Sequence, residues 1–169
     1  MSPMMENLHQ DPSSSTGMSQ FASAPPTFRI KRPGARPIVF EGIELAMAMS
    51  FTPTVPYWYE VNLYRTTDQR FVVTVKLFYQ SEDEQDQVRG WEFESVEQAL
   101  DKLAHYDAGQ DIRVAVNPAD PGICSAELAA CAMDLRARIM SARRHFESLV
   151  GEFFYDLEAP KASVGRGRG

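Results

Sequence analysis

The chain has 169 residues, 44% of them hydrophobic and 11% aromatic, a size and composition that suit one globular domain with tails. It holds no run of about 18 apolar residues, which excludes a membrane-spanning helix, and its net charge of −6 argues against a dedicated duplex-DNA binder. That charge is uneven: 17 acidic and 6 basic residues lie between Pro37 and Leu135, whereas RIKRPGAR (29–36) and RARIMSARR (136–144) carry +4 each.

Residues 1–36 read as a disordered tail, rich in Ser, Pro, Met and Gln and without an apolar period. Their start lacks the basic and apolar regions of a secretory signal, so cytoplasmic residence is the expectation. The folded unit is expected at 37–158, and residues 159–169, with their terminal GRGRG, as a second disordered tail.

PIVFEGIELAMAMSF (37–51) alternates as a strand with a bulge at Gly42, and the proline-bearing TPTVP (52–56) connects it to the next. YWYEVNLYR (57–65) and RFVVTVKLFYQ (70–80) form a hairpin around TTDQ. After the acidic loop SEDEQDQ (81–87), VRGWEFE (88–94) is a fourth strand. Ser95 and Gln98 make a capping-box start for a helix whose apolar stripe is Val96, Leu100, Leu103 and Tyr106, ending at Gly109. DIRVAV (111–116) reads as a fifth strand.

Ser125 to Leu157 reads as one helix, with Leu128, Ala132, Leu135, Ile139, Ala142, Phe146, Leu149 and Phe153 in heptad steps. About 33 residues at 1.5 Å each is roughly 50 Å, longer than a sheet strand. The helix must therefore bend, with Gly151 the candidate, or project and pair with another helix. Cys124 and Cys131 lie too far apart on it to bridge and are expected as small buried hydrophobes. The whole predicts an α+β domain: a curved antiparallel sheet of four to five strands covered by a short helix and a long C-terminal helix. In element order, residues 38–107 resemble the four-strands-then-helix units of Pur-repeat and Whirly-type single-strand nucleic-acid binders, with no motif matched residue by residue.

Two surfaces stand out. In a strand read from Tyr57, Trp58 and Tyr64 fall on the face opposite the core, joined by Lys76 and Phe78 from the next strand. Such a face can stack bases, hold a partner protein, or be covered by its own chain. The heptad stripe is the second surface, with Leu128, Leu135, Ile139, Phe146, Leu149 and Phe153 as an expected helix interface. Arg29, Lys31, Arg32, Arg36, Arg136 and Arg143 form a basic flank that permits contact with nucleic acid or an acidic partner. No Cys-x-x-Cys, His-Glu-x-x-His, calcium-loop or phosphate-loop spacing occurs, so neither metal nor cofactor nor small-molecule substrate is expected. The expected function is a non-catalytic adaptor or regulatory protein, working as a homodimer or with a protein heteropartner. The alternative is a single-stranded nucleic-acid binder using the aromatic face and the basic segments.

Overall fold

A computed structural model describes residues 24–114, 117 and 121–158. The elements run β1 (Thr27–Arg32), β2 (Ala35–Met49), β3 (Tyr57–Thr66), β4 (Phe71–Tyr79), β5 (Gln87–Phe93), α1 (Val96–Ala104), a 3-10 turn (Ala108–Asp111) and α2 (Ser125–Glu158). The strands form one antiparallel sheet in the order β1-β2-β3-β4-β5. This is the expected α+β architecture, and no helix among the described residues is long and apolar enough to cross a membrane.

The fifth strand is not the expected one. Residues 27–36, read as tail, form β1 and a tight turn into β2. Pro33 and Gly34 (φ +72°) occupy the middle of that turn, where a proline sets φ and a glycine accepts the left-handed conformation. The pair that looked like linker punctuation is hairpin chemistry. Conversely, Asp111 closes the 3-10 turn, Ile112 to Val114 form no strand, and Ala115 and Val116 lie outside the described residues, as do the tails 1–23 and 159–169.

β2 is long because it serves two neighbours. Its first half pairs with β1 and its second half with β3. Gly42 sits at the handover, where a Cβ would collide with the Arg65 carbonyl, and the irregularity in pairing falls between Glu44 and Ala46 rather than at Gly42.

Inside the curve, Tyr59, Val61, Leu63, Val73, Val75 and Leu77 are buried under Ala99 and Leu103 of α1, Tyr106, and Ala142, Phe146, Leu149 and Phe153 of α2. α1 starts as expected, Ser95 Oγ accepting the Gln98 N–H at 3.3 Å. A second, smaller core lies on the outside, where Ile30, Ile38 and Phe40 of the β1–β2 hairpin fold over Tyr64 and Val72. β1 thereby reaches β5: a Cβ at Gly90 would stand 3.0 Å from Ile30 Cγ2 and 3.4 Å from Ile38 Cδ1, so a side chain there would have to push these two isoleucines aside by a few tenths of an ångström.

α2 runs unbroken through Gly151, and only its C-terminal half lies deep in the sheet core. The helix is not broken at Gly151, and ahead of Ala142 its residues are half-buried or exposed. Its first turn is closed by Glu127 Oε2 accepting the Cys124 N–H at 2.9 Å. The cysteines are unbridged as expected, but they are not buried, because helix length carries them beyond the core: Cys124 is exposed and Cys131 half-buried.

Candidate binding surfaces

The outer face of the β3–β4 hairpin is a ladder of four cross-strand pairs, Tyr64–Val72, Asn62–Thr74, Glu60–Lys76 and Trp58–Phe78. The first is closed off. Phe28 and Phe40 pack on Tyr64 with ring centroids 4.8 and 5.5 Å away, and burial, then the Glu44 and Glu60 carboxylates, push its phenol up to about 12. Tyr64 is thus withdrawn from the expected partner surface, because β1, taken for tail, covers it. In the second pair Thr74 Oγ1 donates to Asn62 Oδ1, and Asn62 Nδ2 to Glu44 Oε1, both at 2.8 Å. Lys76 of the third is not a free cation: its Nζ lies 2.6 Å from Glu60 Oε1, a residue that faces it directly across the strands.

The fourth pair is the open one. Trp58 stacks on Phe78 at 5.3 Å, and Phe51 meets Trp58 edge-on at the same distance. Met47 and Met49 stand opposite Asn62 and Glu60 on the same face, and with Phe51 they are each about half exposed. β1 stops opposite Glu41, so among the described residues 43–49 of β2 have β3 on one side and no strand on the other. Trp58 and Phe78 therefore come together as expected, within an apolar patch whose methionines the one-strand reading missed.

The expected helix interface divides in two. Phe146, Leu149 and Phe153, expected at an interface between chains, are 1–2% exposed within their own domain, because the heptad stripe there faces the sheet. Leu135 and Ile139 are half-buried at the margin of that core, and Leu128 is 41% exposed. Along this stretch Ala132, Leu135, Ile139 and Met140 line a depression of about 550 Å³ bordered by Arg136 and Arg143.

The basic flank is likewise divided. Arg29, Lys31, Arg32 and Arg36, expected on a loose arm, belong to the β1–β2 hairpin, and Arg32 Nε and Nη2 donate to the Arg36 carbonyl at 2.9 and 2.6 Å. Arg143 is engaged within the fold, Nε and Nη2 each donating to Asp107 at 2.8 Å. With Gly109 N–H on the same carboxylate, this fork holds Asp107 at about 2. Arg136 remains exposed.

One cluster went unread. Asp111, 2% exposed, accepts from Tyr106 OH at 2.7 and 2.8 Å and from Arg89 Nε at 2.9 Å. Tyr59 OH donates to Ala108 O at 3.2 Å, and Gln87 Nε2 to Asp111 O at 2.9 Å. Desolvation raises the Asp111 pKa against the pull of Tyr106 and Arg89, and raises the pKa of Tyr59 and Tyr106 as well. The network ties the 3-10 turn to β3 and β5 and offers little carboxylate surface to solvent. The alternation of DIRVAV hid it, because an aspartate at a strand-like start carries no sign of burial. Among the described residues no cluster of His, Cys, Asp and Glu could hold a metal ion.

Comparison with protein-family models, curated proteins and solved structures found no match to this chain.

Proposed function

We propose that the chain is a cytoplasmic, non-catalytic adaptor or regulatory protein that self-associates through the projecting half of α2. The observation that carries this reading is the continuation of the heptad stripe past the core. Leu128, Ala132, Leu135 and Ile139 keep the phase of Ala142, Phe146, Leu149 and Phe153 where the domain's own sheet no longer covers them fully. The unpaired Cys124 and Cys131 suit a reducing compartment.

The positions flanking the stripe, Ala129, Cys131, Arg136 and Arg138, carry no carboxylate, so the paired charges of a tight parallel zipper are lacking and antiparallel pairing suits the stripe as well.

Light scattering tests this. The intact chain is expected at twice its 19.0 kDa mass, and Leu128→Asp at the single mass with an unchanged circular dichroism spectrum, since Leu128 lies outside the core. A monomeric intact chain refutes self-association. The nucleic-acid alternative keeps the Trp58–Phe78 stack but loses Tyr64 to the outer core and Lys76 to Glu60, and it requires affinity that falls steeply with salt.

A further inference from the structure

Where the end of β1 comes round to the start of β5, a cavity of about 350 Å³ opens on the surface. Three arginines line it from three separate segments: Arg32 at the end of β1, Arg89 on β5, and Arg113 just beyond the 3-10 turn. Residues 37–135 hold 6 basic residues against 17 acidic ones, and two of those six, Arg89 and Arg113, reach this one wall and are joined there by Arg32.

Two of the guanidinium groups are held by their own domain. Arg32 is anchored by the Arg36 carbonyl, and Arg89 Nε by Asp111 from beneath. A guanidinium has five N–H donors, so both groups retain donors beyond these anchoring bonds. Among the described residues Arg113 makes no such bond, and it also borders a neighbouring depression with Asp83, Glu84 and Arg138. The carboxylate in the cavity wall is Asp86, whose Oδ1 accepts the Tyr79 N–H at 3.2 Å. Like charges gathered on one wall repel, and an anion among them removes that cost.

We propose that this cavity is a binding site for a small tetrahedral oxyanion of the phosphate class, free or as a phosphate monoester. A carboxylate offers two oxygens in one plane and suits a single guanidinium fork. A phosphate offers oxygens in several directions and suits donors arriving from three segments. The bound anion bridges β1 and β5, the two outermost strands of the sheet, which the strand order leaves unpaired with each other. The site is independent of the α2 surface and does not rest on self-association.

Trp91 lines the cavity and is one of two tryptophans, so Trp58→Phe leaves it as the sole indole reporter. In that background, inorganic phosphate and glycerol phosphate are titrated at constant ionic strength, with acetate and potassium chloride as parallel arms. The expected result is a saturable change in Trp91 emission with phosphate, at least tenfold weaker in Arg113→Gln and in Arg32→Gln. Glycerol phosphate matching phosphate extends the site to monoesters, and its failure confines the site to the free ion. Arg113 is exposed, so its variant keeps the fold, checked by circular dichroism, should Arg32→Gln disturb the hairpin. A response equal in acetate or chloride, the absence of a saturable response, or one unchanged by Arg113→Gln overturns the proposal.

Discussion

The two halves of α2 share one heptad pattern and meet opposite fates. From Ala142 to Phe153 the stripe is core, under 3% exposed and packed on Tyr59 and Tyr106. From Leu128 to Ile139 the same spacing lies partly or wholly in the open. Periodicity states that a helix has an apolar side. It does not state what covers that side, because the covering surface comes from elsewhere in the chain or from another chain. The outer sheet face repeats the lesson: Tyr64 is sealed by the β1–β2 hairpin, while Trp58, beyond that hairpin's reach, is only partly buried, between Phe51 and Phe78.

Truncation breaks this comparison most severely. Phe146→Ala removes a fully buried ring and is expected to destabilise the domain by about 3–5 kcal/mol, whereas Leu128→Ala costs less than about 1 kcal/mol in dilute monomer. Urea denaturation of both variants measures the contrast, and equal losses would mean that the exposed half is also covered within one chain.

A gain of stability comes next. Gly151 lies on the solvent side of the buried half, and a Cβ added there meets nothing within 4 Å. Gly151→Ala is expected to raise stability by up to about 1 kcal/mol through helix propensity alone, read as a higher urea midpoint with an unchanged slope. A bend needed at that position would reverse the sign.

The smallest effect lies at the boundary between the halves, where Arg143 clamps Asp107. Asp107 falls from 3.8 to about 2 on folding, so its contribution is present above the unfolded value and is lost as pH drops from about 4 to about 2. Both side chains are about half exposed, and solvent screening keeps the contribution small. Thermal melts across that range should show a shallower acid loss in Arg143→Gln than in the unaltered chain. An identical profile would remove the clamp from the account.

Much of the fold was legible because its signals are local. β2 to β5 declare themselves by alternation, α1 by Ser95 and Gln98, and α2 by its stripe. The candidate surfaces were legible only in part. Trp58 and Phe78 share a face by strand parity, but the burial of Tyr64 and the pairing of Lys76 with Glu60 depend on register and on a hairpin that read as tail. β1 was hidden because its six residues are half basic and are followed by Pro33–Gly34, a signature shared by linkers and turns.

By itself, then, the sequence determined β2 to β5, α1, α2, their order and the excess length of α2, since propensity, parity and helical rise act within a few residues of chain. The tertiary structure alone decided which apolar faces are closed. The curl of the sheet brings β1 onto β5 at Gly90, covering one end of the outer face while the other end and the first turns of α2 stay uncovered. Those outcomes rest on close approach between residues far apart in sequence, such as Ile30 and Gly90 or Tyr59 and Phe146, which no local pattern encodes.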